Sequence, residues 1–124
     1  MALSAQLGAL QPAVVHLVHV ADQNDVCHGF WLNALRVKPA FRRMGIGTWL
    51  CRQTLDMARR MGADTVLLTV REDNASAIAL YERLGFSTLP SDGALAPELQ
   101  RLEAIEKRPY RAMECPVRRP EPSP

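Results

Sequence analysis

Six residues in the middle of the chain, Thr65-Val66-Leu67-Leu68-Thr69-Val70, leave little choice of architecture. A run this short and this apolar reads as a strand covered on both faces, the environment of a parallel strand with helices packed over it. The residues ahead of it supply the helix. From Ile46, the positions Trp49, Leu50, Met57, Ala58 and Met61 recur at helical spacing, Arg59 and Arg60 suit the negative end of the helix dipole, and Gly62 can take the left-handed stop. A strand precedes this helix, so the centre of the chain is expected to be a right-handed strand-helix-strand crossover.

On the N-terminal side, Ala13 to Val20 and His28 to Val37 are β-rich runs separated by the polar stretch Ala21 to Val26, which predicts a hairpin leading into Pro39. Beyond the crossover, Asn74 is a candidate N-cap, Ala77, Ile78, Tyr81 and Leu84 make an inner stripe, and Gly85 ends that helix before a strand around Phe86 to Leu89. Ser91-Asp92-Gly93 is a turn, Pro97 opens a weaker helix through Leu99, Leu102 and Ile105, and Tyr110 to Val117 form a last strand. The expected fold class is therefore α/β (α+β): one domain over residues 1–117, a mixed central sheet with helices on both faces in three layers. Residues 118–124, with three prolines, are expected to be a flexible tail.

A chain of 124 residues supports one core. Its formal charge of +2 is too small for a general polyanion binder, and no aromatic residues interleave with a basic surface, so nucleic acid is not an expected partner. Cys27, Cys51 and Cys115 are odd in number and lack paired spacing, which fits neither a disulfide framework nor a zinc site. No apolar run approaches a membrane span and no signal-peptide pattern opens the chain; a cytoplasmic protein is expected.

The junction between the second strand and the long helix carries the chemistry. Pro39-Ala40-Phe41-Arg42-Arg43-Met44-Gly45-Ile46-Gly47-Thr48 contains two glycines, two arginines and no acid. A helix start leaves backbone N–H groups without partners and a partial positive charge, and glycines let an anion approach them. The third glycine of a Rossmann fingerprint is absent, and so is the Gly-Lys-Ser/Thr of a Walker loop. A lone Gly-x-Gly also suits a tight turn with solvated arginines.

Leu35-Arg36-Val37-Lys38-Pro39-Ala40-Phe41-Arg42-Arg43-Met44-Gly45-Ile46-Gly47 resembles the cofactor-binding signature of the GNAT superfamily of N-acetyltransferases, with Arg42, Gly45 and Gly47 in its fixed positions. A second block, Asn74-Ala75-Ser76-Ala77-Ile78-Ala79-Leu80-Tyr81-Glu82-Arg83-Leu84-Gly85-Phe86, resembles that family's Asn-x-x-Ala-x-x-Leu-Tyr-x-x-x-Gly-Phe segment. The resemblance implies a GNAT-like fold and acetyl-CoA as cofactor. Leu35, Arg36 and Val37 would pair with the pantetheine arm, and Arg42, Arg43, Met44, Gly45, Ile46, Gly47 and Thr48 would hold the pyrophosphate. Asn74, Ala77 and Tyr81 would complete the site. The partners implied are acetyl-CoA and an amine acceptor, either a small molecule or a peptide or protein amine.

Direct attack of an amine on a thioester requires a base, an oxyanion donor and an acid for the departing thiolate. By resemblance Tyr81 is the acid and the Leu35 N–H the oxyanion donor. Many members carry a glutamate on the strand before the loop, whereas Gly29-Phe30-Trp31-Leu32-Asn33-Ala34-Leu35 has no carboxylate, so a water relayed by Asn33 is the expected base. His28, Asp25 and Glu72 stand in reserve. His16 and His19, three apart on a strand, should face opposite sides and so share no metal.

Family members usually place a strand and two helices before the hairpin, and here Met1 to Pro12 precede it. An open acceptor groove, a partner chain such as a second copy in a homodimer, and a longer parent protein all fit that shortened N-terminal region. A catalytically silent acyl-CoA-binding or protein-interaction domain of the same fold is the alternative to an active enzyme.

Overall fold

The computed structural model describes residues 2–7 and 10–118. Three strands, β1 (Ala2–Leu7), β2 (Leu10–Val20) and β3 (Gly29–Val37), lead through a short 3-10 turn, Pro39–Phe41, into helix α1 (Ile46–Arg60). Then come β4 (Thr65–Arg71), α2 (Ala75–Arg83), β5 (Ser87–Thr88), α3 (Ala96–Glu106) and β6 (Tyr110–Pro116). The strands form one sheet in the order β1-β2-β3-β4-β6-β5. Its β3–β4 pair is parallel and its other neighbouring strands run antiparallel, so the sheet is mixed, as expected.

Alternation along the strands builds two cores. Ala13, Val15 and Leu17 of β2, Val66, Leu68 and Val70 of β4, and Met113 and Cys115 of β6 pack beneath α1 and α2 with Leu50, Ala58, Ile78 and Tyr81. On the other face Trp31 and Ala112 meet Leu95 and Leu99 at the α3 end, with Val18, Val20 and Leu67 alongside. The expected three layers are therefore α1 and α2, the sheet, and α3. Asn74 caps α2 as read, its side-chain oxygen accepting the Ala77 N–H at 3.3 Å.

Strand β1 corrects the sequence reading, which placed no element before the hairpin. Ala-Leu-Ser-Ala-Gln-Leu has weak β-propensity, and the edge of β2 imposes the conformation on it. Strand β2 also starts earlier than Ala13 and passes through Pro12. The register slips between Ala5 and Leu7 opposite that segment, a bulge of the kind that accommodates a proline, and the Pro12 carbonyl accepts the Lys38 N–H at 2.7 Å. The tail lies outside the described residues apart from Arg118, whose backbone N–H donates to the Asp64 carbonyl at 3.3 Å.

Candidate active site

Strands β3 and β4 part company early. Their parallel pairing covers Phe30 with Val66 and Trp31 with Leu67, although β3 runs on to Val37 and β4 to Arg71. Beyond Trp31 the sheet opens as a fork, and the backbone edges inside it can pair with an extended ligand as with an added strand. A bulge causes part of this divergence. Val14 lies opposite Arg36 but His16 opposite Asn33, so β3 carries one residue more than β2 across that interval, and Ala34 takes a left-handed φ of 56°. The inserted residue reverses the alternation. Phe30 and Leu32 belong to the core beneath α1 and α2, and the half-buried Leu35 and Val37 pack against that same core.

The loop closes the wide end of the fork. Arg42 Nε donates to the Val37 carbonyl at 3.3 Å and its backbone N–H to the Pro39 carbonyl at 3.3 Å, which folds the loop back onto β3. Arg43 (φ 65°) and Gly45 (φ 78°) are both left-handed, the sort of turn that gathers successive N–H groups into an anion-binding concavity. The first helical bond runs from Trp49 N–H to the Gly45 carbonyl, 3.0 Å, and the N-cap supplies no side chain. Among the described residues, the amides of Ile46, Gly47 and Thr48 therefore have no acceptor. A Cβ on Gly47 would sit 3.3 Å from Val37 Cγ2 and 4.0 Å from Leu80 Cδ2, so glycine lets the first turn of α1 rest against β3 and α2.

These surfaces enclose a cleft of about 1130 Å³. Leu35, Arg36, Val37, Arg42, Arg43, Gly45, Ile46, Gly47, Thr48, Asn74 and Ala77 line it, while Met44, 62% exposed, and Tyr81 do not. Five cations, Arg36, Lys38, Arg42, Arg43 and Arg83, face it with no carboxylate on its walls. Elsewhere Arg59, Arg60, Arg71, Arg101, Arg108, Arg111 and Arg118 each pair with an aspartate or glutamate. Among the described residues none of the five cleft cations forms such a pair, so the cleft holds uncompensated positive charge beside free amides. That combination suits a ligand with several phosphate charges.

Tyr81 sits behind the cleft wall on the inner side of α2, 8% exposed, its ring edge-on to Phe86 at 5.7 Å. Burial, with the neighbouring Cys51 adding to it, pushes the phenol up to about 12. No hydrogen bond holds its hydroxyl, yet no buried side-chain oxygen is left unpartnered among the described residues, so the oxygen reaches open space as a neutral donor. Asn33 is exposed on β3. The reserve residues are engaged elsewhere: His28 Nδ1–H donates to the Asp25 carbonyl at 2.9 Å, Asp25 accepts the Cys27 N–H at 2.8 Å, and Glu72 takes Arg111 at 3.1 and 2.7 Å.

Sequence reading passed over Lys38, Leu80 and Arg83 on the cleft walls. A stripe of Asn74, Ala77, Leu80 and Arg83 at three-residue spacing on α2 was the available signal for two of them. The contribution of β2, Gln11 to Val14, depends on cross-strand register and had none.

Comparison with known proteins agrees with this geometry. The model of the acetyltransferase (GNAT) family matches residues 14–86, more than half of the chain. The [ribosomal protein bS18]-alanine N-acetyltransferase of Escherichia coli K12 is 43% identical over 53 residues, 43% of this chain and 36% of that protein. Streptothricin acetyltransferase of Streptomyces lavendulae is 38% identical over 82 residues, 66% of this chain and 42% of that protein. The matches thus span less than half the length of these curated relatives. Among solved structures, the Escherichia coli ribosomal-protein-S18-alanine N-acetyltransferase superposes with a TM-score of 0.72 at 24% identity, covering 100% of this chain and 73% of that one. A Bacillus subtilis acetyltransferase in complex with CoA gives 0.73 at 16% identity, covering 93% and 75%. With the strand fork, the glycine-arginine loop and the capped second helix all in place, the chain belongs to the GNAT family of acetyltransferases.

Proposed function

We propose that the protein is an N-acetyltransferase that moves an acetyl group from acetyl-CoA to a primary amine by direct attack within a ternary complex. The observation that carries this reading is the pairing of five cations with the amides of Ile46, Gly47 and Thr48 at the mouth of the β3–β4 fork, none of which has a carboxylate or acceptor partner among the described residues. Acetyl-CoA brings an activated thioester on a long polar arm and three phosphates at the other end. The loop and α1 hold the phosphates; the open edge of β3 from Leu35 to Val37 pairs with the arm and points the thioester toward the crotch at Trp31.

In this reading the Leu35 N–H donates to the carbonyl oxygen as it gains charge. Tyr81, still protonated well above neutral pH, gives a proton to the departing sulfur. Asn33 holds the water through which the amine loses its own. Following thiol release from acetyl-CoA with a peptide that begins with alanine, with streptothricin and with a pool of amines tests the proposal. Release that depends on both acetyl-CoA and an amine supports it. Tight binding of acetyl-CoA with no release on any amine contradicts it and marks a silent binding domain.

A further inference from the structure

The mechanism above lacks a side chain able to take the acceptor's proton, and the β2–β3 register puts one beside it. His16 lies directly opposite Asn33. Directly opposed residues of an antiparallel pair have Cβ atoms roughly 4.5–5.5 Å apart and project from one face. Here that face is the one away from α1 and α2, because the neighbours Val15, Leu17 and Leu32 fill the core on the other side. His19, by contrast, stacks on Phe30 at 4.1 Å, and Phe30 belongs to the α1–α2 core. Both His16 and Asn33 are exposed, so an amine can reach them.

Position along the fork matters as much as face. Val14 and Arg36 form the previous described rung of the ladder and line the cleft, and His16 with Asn33 is the next rung toward the point where β3 and β4 meet. A thioester whose phosphates rest on the loop and whose arm follows β3 backwards arrives at this level. We infer that His16 is the general base of the transfer, accepting the acceptor's proton directly or through a water held by the Asn33 amide. This inference rests on the acetyl-transfer reading.

The protons balance. The acceptor's ammonium gives one proton to the His16 imidazole, its lone pair forms the C–N bond, and the C–S bond breaks. Sulfur takes a proton from Tyr81, the second proton of the former amine passes through water to restore the phenol, and exposed His16 releases its proton to solvent. The sum is one amide, one thiol and one proton released. On the adjoining rungs the same face carries Ser4 from β1, Trp31, Asn33 and Arg36 from β3, and Val14 and Val18 from its own strand. Arg36 is the charged one among them.

The test compares wild type with His16→Gln and His16→Ala, folding being checked by thermal melting. Acetyl-CoA affinity is read by calorimetry. Turnover is read with a peptide beginning with alanine and, without acceptor, as acetyl-CoA hydrolysis, where water replaces the amine. The expected result is unchanged affinity, turnover lowered about 10²-fold at neutral pH, loss of the acidic limb of the kcat profile, and partial recovery of His16→Ala by added imidazole. Unchanged turnover and pH profile in His16→Gln would overturn the inference alone, and a wild type that binds acetyl-CoA but neither transfers nor hydrolyses would overturn it together with the acetyl-transfer reading. Failure of wild type to bind acetyl-CoA overturns the acetyl-transfer reading itself.

Discussion

At Gly47 three elements come close enough that one added carbon matters. The neighbouring Val37 and Leu80 methyls at 3.3 and 4.0 Å leave room for a modest shift but not for a branched side chain. Gly47→Val is expected to weaken acetyl-CoA binding at least about 10-fold by pushing α1's free amides out of line. Calorimetry checks this, with a melting curve to show that the fold survives; unaltered affinity would mean that the helix start does not touch the cofactor. Tyr81 makes a separable prediction. Tyr81→Phe should cut kcat about 10²-fold with the acetyl-CoA dissociation constant unchanged. Because burial holds the phenol up to about 12, the wild-type rate should show no alkaline loss from this group below about pH 11.

Among the elements, β3 with its bulge decides the geometry of the site. Deleting Ala34 would pair β3 with β2 one to one, leaving Leu35 and Val37 on the face they share with Phe30 and Leu32 but removing the bend that helps β3 diverge from β4. The deletion should weaken acetyl-CoA binding by narrowing the fork; a variant that binds normally would show that the bulge is incidental. Helices α1 and α2 were legible because apolar spacing, Asn74 and the glycines agree locally. The bulge was not, since Ala34 carries no sign of its left-handed φ that a glycine would have advertised. Strand β1 escaped for a related reason: Ala and Gln say little about strands, and only pairing with β2 makes Ala2–Leu7 extended. The loop arginines could be read as a phosphate site from their neighbours, whereas the rung joining His16 to Asn33 required the register.

For the molecule as a whole, two groups beneath α1 and α2 link stability to pH. Tyr81 and Cys51 are both pushed up to about 12 by burial, from ordinary values of 10.0 and 9.0. Raised values mean that the unfolded chain releases these protons first as pH rises, so their contribution is intact below about pH 9 and is lost between there and about pH 12. Urea denaturation across that window should show falling stability, and Cys51→Ala should remove part of the slope. The distribution of charge is the other property of the whole: a modest net charge of +2 conceals carboxylate-paired arginines over much of the surface and, at one cleft, cations with no such partner among the described residues. The most direct test is therefore a calorimetric titration of acetyl-CoA at increasing salt. Saturable binding with a dissociation constant below about 1 mM, weakened by salt and lost in the double variant Arg42→Ala, Arg43→Ala, is the predicted result. A folded protein that shows no binding, or binding indifferent to both salt and those arginines, would contradict the account.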